Sequence, residues 1–207
     1  MTRLSRGTPA SDTRDRGAVL IEFVLIAPVL LLFLLGVFEY GNAWRQVGSI
    51  ERATQQGARV TSSMANNRYA DYEGLRAVDT ATRGLAGLTV ERMIIYRVTD
   101  ADGAVPDACL SGSVSGLCNH YTGAQVRSGS LAGFSGGTLA NPQCSASSLD
   151  AAWCPVDRPR ETDALVRIGV HLTMTYEPVT GLFPADVTIE RTAVYQIEPC
   201  QQGEETC

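Results

Sequence analysis

The sequence of 207 residues contains no lysine, so all 17 of its basic side chains are arginines. Acidic side chains outnumber them, and the formal net charge is −5. Residues 39–207 hold 13 arginines and 19 acidic residues, a balance of 13 − 19 = −6. A body with this charge repels phosphate backbones. The composition therefore argues against nucleic acid as a partner.

Signatures of catalysis and metal binding are also missing. The chain has no G-x-S-x-G elbow, no phosphate-binding loop and no C-x₂-C pair of the kind that holds structural zinc. Its two histidines, His120 and His171, stand far apart. His120 and Cys118 are too close in sequence to form a relaxed nucleophile and base, and an oxidising compartment disfavours a free thiolate. We expect no enzyme activity, no cofactor and no metal.

One further group of charges has an ordinary interpretation. Five ionisable residues crowd a short segment before the last two predicted strands: Asp157, Arg158, Arg160, Glu161 and Asp163. Exposed ion pairs contribute little to stability and are common in loops. The pattern predicts a solvated ionic loop.

Charge is almost absent from residues 18–38, where Glu22 is the only ionisable side chain. A helix of this length measures about 31 Å, close to the hydrocarbon thickness of about 30 Å. Arginines are more frequent before the segment than after it, which places the N-terminus in the cytoplasm. The sequence thus predicts a cytoplasmic leader (1–17), a transmembrane helix (18–38) and an exported domain (39–207).

A cleaved secretory signal is the alternative to a retained membrane helix. Gly41, Asn42 and Ala43 offer the small-x-small spacing that signal peptidase accepts. The apolar segment is longer than a typical signal core, and Glu39 and Tyr40 precede the candidate cleavage site. We favour the retained helix, and both readings export residues 44–207.

Glu22 is unusual because a lone carboxylate in the middle of a bilayer costs roughly 2.5–3.5 kcal/mol, and less near an end. Gly17 lies five residues before it, after a basic segment. This spacing resembles the processing site of type IV prepilins. The resemblance implies cleavage after Gly17 by a membrane peptidase, with Ala18 as the new N-terminus and Glu22 as the mature fifth residue. The α-amino group of a neighbouring subunit would then neutralise Glu22 in lipid.

A narrower resemblance covers roughly residues 16–60. The string GAVLIEFVLIAPVLLLFLLGVFEYGNAW, followed by RATQQGARV, is similar to the TadE-like family of minor pseudopilins from tight-adherence (Flp) pilus systems. The family implies export, leader cleavage and a part in pilus biogenesis. Its expected partners are the membrane, other pilin or pseudopilin subunits with the assembly machinery, and a prepilin peptidase.

Two other classes of function remain for comparison. One is a single-pass, membrane-anchored extracellular binding module that uses the irregular segment 100–163 to contact a ligand. The other is a small exported hydrolase, which no set of residues supports. Cleavage after Gly17 separates the pseudopilin from both.

Pro28 lies inside the apolar segment, where it removes a backbone donor and crowds the preceding turn. A kink near residues 24–28 is therefore expected, as a hinge or as a harmless feature of a membrane helix.

The exported domain is predicted to be α+β and pilin-like, with the long N-terminal helix packed on a small antiparallel sheet. The first helix continues to about residue 64 with a core-facing stripe that includes Trp44, and a second helix spans 70–86 with Asp71 or Asp79 as its cap. Strands are expected at 89–98, 166–176 and 187–197, the second of them half-buried with His171 pointing outward. Residues 100–163 form a long irregular loop.

All six cysteines lie on the predicted outer side of the membrane: Cys109, Cys118, Cys144, Cys154, Cys200 and Cys207. An even number in an exported body predicts disulfides, for which fifteen pairings are possible. The cysteines fall into sequence-local couples, so we prefer Cys109–Cys118, Cys144–Cys154 and Cys200–Cys207. Loops this short stabilise by at most roughly 2–3 kcal/mol each.

Overall fold

The computed structural model describes residues 13–64, 66–134, 144–159, 166–181 and 186–197, with side chains from residue 17 onward. Its main elements are these: α1 Thr13–Ser63, α2 Ala70–Thr82, β1 Leu88–Arg97, α3 Asp107–Leu110, β2 Cys118–Thr122, α4 Gly123–Ser128, β3 Arg167–Tyr176 and β4 Val187–Gln196. The α+β class predicted from the sequence is confirmed.

The first two helices form one layer of the domain. The C-terminal half of α1 packs against α2, and the two helices approach closely where each has a glycine. A Cβ atom on Gly57 would lie 2.5 Å from Val78 Cγ2, and one on Gly74 would lie 2.1 Å from Thr61 Oγ1. Gly57 and Gly74 therefore allow the backbones of α1 and α2 to approach each other closely.

The sheet has four antiparallel strands in the order β2-β1-β3-β4. The expected antiparallel pairing of the last two strands is present, with Arg167 opposite Gln196 and Tyr176 opposite Val187. The β1–β3 register shifts between Val90 and Arg92. At one end of the sheet, Tyr176 lies between Leu88 of β1 and Val187 of β4.

The prediction of an irregular segment over 100–163 was wrong in part. In its described residues, 100–134 and 144–159, this segment supplies β2 at an edge of the sheet, two short helices and two turns of 3₁₀ helix. It also covers the sheet face opposite the helices, where a second apolar cluster contains Ile94, Tyr96, Val98, Cys109 and Cys118. The sequence did not predict these elements because the segment is rich in Gly, Ser and Pro and because each element is too short to show a periodic pattern.

Strand β3 is buried on both faces, whereas half-burial was expected. Its core-facing residues join α1 and α2 in the larger cluster, and its other face lies under the segment that includes residues 103–118. Gly169 makes room there, since a Cβ atom at this position would lie 2.1 Å from the Tyr96 ring. His171 is accordingly buried on that second face, where its Nδ1 atom is 2.9 Å from Thr192 Oγ1.

Two of the three preferred disulfides are present. Cys109 and Cys118 join α3 to the start of β2, and their Cα atoms are 6.1 Å apart. Cys144 and Cys154 close the second loop with a Cα separation of 5.8 Å. The pair Cys200–Cys207 lies outside the described residues.

Candidate functional site

The N-terminal half of α1 is apolar, and none of the other described residues packs on it. By length and composition, α1 contains one candidate membrane span. Its large apolar side chains from Val19 to Phe38 are between 41% and 73% exposed. In water this surface would drive association, so it requires lipid or other helices around it.

The residues of the predicted processing site all lie on this exposed helix. Gly17, Ala18 and Glu22 are exposed, and a Cβ atom on Gly17 would meet nothing within 4 Å. Glu22 has no hydrogen bond or ion pair with any residue that the structure describes. The helix runs without a break through Pro28, which is also exposed.

Glu39 marks the point where the helix changes from exposed to packed. Glu39 is only 2% exposed, and its carboxylate accepts three hydrogen bonds from the last residue of β3 and the residues that follow it. The Tyr176 hydroxyl donates to Oε1 at 2.7 Å, the Val179 N–H to Oε1 at 3.0 Å and the Thr180 N–H to Oε2 at 2.9 Å. Asn42 Nδ2 adds a bond of 2.8 Å to the same Tyr176 hydroxyl. We call this set of residues the exit clasp.

The exit clasp favours the charged form of its carboxyl group. Hydrogen bonds from Thr180 and then from Tyr176 lower the pKa of Glu39 from 4.5 to about 2, against the opposing effect of burial. Burial, together with the bond to Glu39, raises the pKa of Tyr176. Glu39 is therefore an anion at neutral pH, held by donors and not by a cation in the exit clasp.

A second buried polar cluster lies inside the body. Asp71 accepts hydrogen bonds from Asn119 Nδ2 at 2.8 Å and the Tyr121 hydroxyl at 2.7 Å. Arg158 Nη2 lies 2.7 Å from Asp71 Oδ1, and neither side chain is exposed. The Arg158 guanidinium also stacks 4.1 Å from the centre of the Trp153 ring.

This cluster corrects two predictions. Arg158 was expected in a solvated ionic loop, but it is buried and joins the disulfide-bonded segment to α2. Asp157 of that predicted loop is exposed, as expected, and its other members Arg160, Glu161 and Asp163 lie outside the described residues. Asp71 was a candidate helix cap, yet Tyr69 occupies the N-cap position of α2 and Asp71 lies inside the first turn. Composition alone could not reveal this pair because its members are 87 residues apart in sequence.

Trp44 also departs from its predicted place. It was assigned to the core stripe of α1, but 69% of it is exposed, and its ring is 6.3 Å from that of Tyr40. The buried face of α1 begins at Ile50 and continues through Ala53, Thr54, Gly57 and Ala58. Trp44 lies before this face, where α1 does not yet pack fully on the sheet, so its place in an amphipathic pattern did not lead to burial.

Groups suited to chemistry do not converge in the described part of the chain. No set of three His, Cys, Asp or Glu side chains there is close enough to hold a metal ion. Burial lowers the pKa of His171, and burial followed by the nearby Arg92 cation lowers the pKa of His120. His120 in β2 and His171 in β3 lie on either side of Ile94 in β1.

The fold and the exposed helix together define a class of protein: a small disulfide-bonded α+β body carried on one apolar N-terminal helix. The family model described as TadE-like protein matches residues 17–59, which confirms the resemblance seen in the sequence. The match covers the apolar segment, Glu39 and the first part of the packed stripe, and it ends before α2. No curated protein and no solved structure matches the chain.

Proposed function

We propose that this chain is a minor pseudopilin-like structural or assembly protein of a tight-adherence (Flp/Tad) pilus or a related secretion system. In this proposal a prepilin peptidase removes residues 1–17, residues 18–38 span the membrane, and the α+β body lies outside the cytoplasm. The body has a structural role and no enzymatic one. The observation that carries the proposal is the TadE-like match across an apolar helix that is left uncovered.

The shape of α1 supports this role. A single continuous helix of 51 residues, about 77 Å long, links the apolar segment to the body. Subunits built this way can associate through their apolar halves while their bodies form the outer layer. The arginine-rich flank before the helix supports the orientation with a cytoplasmic N-terminus.

Glu22 supplies a reason for assembly to follow cleavage. The carboxylate is exposed on the apolar helix and lacks a partner among the described residues. Cleavage after Gly17 would create an α-amino cation about 6 Å along the helix axis from it, on this subunit and on each neighbour. Pairing between subunits removes the cost of an isolated charge in lipid, which an isolated anchor has no means of doing.

The proposal is tested by Glu22→Gln in the native host, with Glu51→Gln as the matched control. Glu51 is an exposed glutamate on the same helix, outside the apolar segment. We expect the Glu22 variant to insert and to be cleaved, but to lose co-purification with pilin subunits and assembly proteins, while the control retains it. Normal partner recovery and surface piliation in the Glu22 variant, at wild-type protein level, would refute the assembly role of this carboxylate.

A further inference from the structure

The exposed hydrophobic side chains of the body are not spread evenly. Beyond residue 38 the described residues include six large apolar or aromatic side chains with high exposure: Tyr40, Trp44, Leu110, Val179, Val187 and Tyr195. Four of these six lie near the place where α1 leaves its apolar segment: Tyr40 and Trp44 on the helix, Val179 after β3 and Val187 at the start of β4. Single exposed apolar residues need no explanation, but a cluster at one end of a domain marks an interaction surface.

Residues 177–181, which follow β3, are held at this level by the exit clasp. The Val179 and Thr180 amides bond directly to Glu39, so the backbone of these residues is fixed to the first residue after the predicted span. Val179 nevertheless leaves 58% of its surface exposed, and Val187, opposite Tyr176 in the sheet, leaves 48%. The clasp therefore orders a stretch on which the apolar Val179 side chain stays largely exposed.

The position of the cluster along the helix matches the bilayer interface. Glu39 lies about 1.5 Å beyond residue 38 along the axis and the Trp44 backbone about 9 Å, but helical side chains lean toward the N-terminus, and the Trp44 ring lies 6.3 Å from that of Tyr40. The headgroup region on each side of a bilayer is about 5–8 Å thick. Tyr and Trp favour this region because their rings are apolar at one end and polar at the other. Arg45 follows Trp44 and is exposed, within reach of lipid phosphates.

We propose that residues 177–181, fixed to Glu39 through the Val179 and Thr180 amides, form a second membrane contact beside the helix in the lipid interface. Together with Tyr40 and Trp44 it forms a platform on which the body sits before assembly. The platform rests on the proposed membrane span, and it adds a lipid-binding surface in the body itself. The other possible occupant, a second copy of the chain, is an outcome of the test.

Charges at this end of the domain set the lipid preference. Glu177 and Asp186 are exposed and Glu39 adds a buried negative charge, whereas Arg45 on α1 and Arg83 just after α2 are exposed cations. Positive charge is not in excess among these residues, so the contact depends on apolar burial and not on attraction to anionic headgroups. We expect it to form on phosphatidylcholine alone and to change little when phosphatidylglycerol is added.

The test uses tryptophan quenching in the full-length protein reconstituted into phosphatidylcholine vesicles. Trp44→Phe removes the helix reporter and leaves Trp153, which is buried in the body, as a constant background. Val179→Trp is then compared in that background with Tyr195→Trp. Tyr195 is exposed on the same strand pair but lies about 26 Å along β4 from Val187. The quencher is phosphatidylcholine with a nitroxide near the top of its acyl chain.

We expect the reporter at position 179 to emit at shorter wavelength and to be quenched at least about twofold more than the reporter at 195. The quenching should not depend on the ratio of protein to lipid. Equal quenching at the two positions would overturn the proposal. A blue shift that appears only at high protein-to-lipid ratio, without lipid quenching, would assign the surface to a second copy instead.

The folding of the variants and the pseudopilin proposal are each tested separately from the membrane contact. Unchanged resistance of the cysteines to alkylation shows that each variant keeps its disulfides, so a lost signal is not misread as unfolding. An intact N-terminus in cells, combined with strong quenching at position 179, would refute the pseudopilin proposal and leave the membrane contact standing. Cleavage after Gly17 without such quenching would do the reverse.

Discussion

Removing Arg158 should destabilise the body far more than removing Arg76, a partly exposed arginine that pairs with a different aspartate of α2. Arg158 and Asp71 are both fully buried and 2.7 Å apart, so Arg158→Met leaves an uncompensated carboxylate inside the protein. Breaking a buried pair in this way typically costs about 3–5 kcal/mol. Arg76 instead pairs with Asp79 at 3.2 Å with a third of its side chain exposed, and such pairs contribute about 0–1 kcal/mol.

The assay is guanidinium unfolding of the full-length protein in detergent, followed by circular dichroism, with Arg76→Met as the matched control. We expect Arg158→Met to lower the free energy of unfolding by about 3–5 kcal/mol and the control by about 1 kcal/mol or less. Adding Asp71→Asn to Arg158→Met should recover part of the loss, because the amide carries no charge to bury. Equal effects of the two single variants would refute the reasoning that Arg158 compensates Asp71.

Three further outcomes follow from the packed body. Glu39→Gln should be less stable than wild type at neutral pH, and the difference should shrink between about pH 4.5 and pH 2. The pKa of Glu39 is lower in the folded protein than in the unfolded chain, so its charge stabilises the fold above the unfolded pKa, and this stability is lost as the pH falls through the folded pKa. A pH-independent difference in unfolding midpoints would contradict this. Alkylation of the unreduced native protein should label none of the six cysteines, and labelling of two or more would reject the disulfide framework. Gly169→Ala should cost about 1–3 kcal/mol in unfolding measurements because its Cβ would overlap the Tyr96 ring, whereas Gly112→Ala, at an open position, should change stability little.

Local patterns predicted the parts of the fold that are long and periodic. The continuous helix to residue 63, the second helix and the three long strands all carry an apolar repeat that extends over ten residues or more. Cysteine spacing predicted three local disulfides, and the two that fall within the described residues are confirmed, because loops of about ten residues favour local pairing. The TadE-like resemblance was visible for the same reason, since it lies in the apolar segment and its continuation.

Long-range contacts were out of reach of the sequence. Strand β2 has five residues and depends on β1 for its pairing, so no window of its own sequence identifies it. Nothing in the sequence indicated that Glu39 is buried, because its partners Tyr176 and Thr180 are brought to it only by the fold. Arg158 lay in a run of charges whose composition is typical of solvent, and its burial is decided by Asp71 and Trp153, which other segments supply.

The N-terminal residue of the mature chain tests the central proposal most directly. Intact-mass and N-terminal analysis of protein extracted from membranes of its native host should show a chain that begins at Ala18, and Gly17→Leu should block that maturation because a bulky residue replaces glycine at the cleaved bond. A wild-type chain that begins at Met1 would support the anchored binding module, and one that begins at Trp44 would indicate an ordinary secretory signal. Either result would contradict the pseudopilin account.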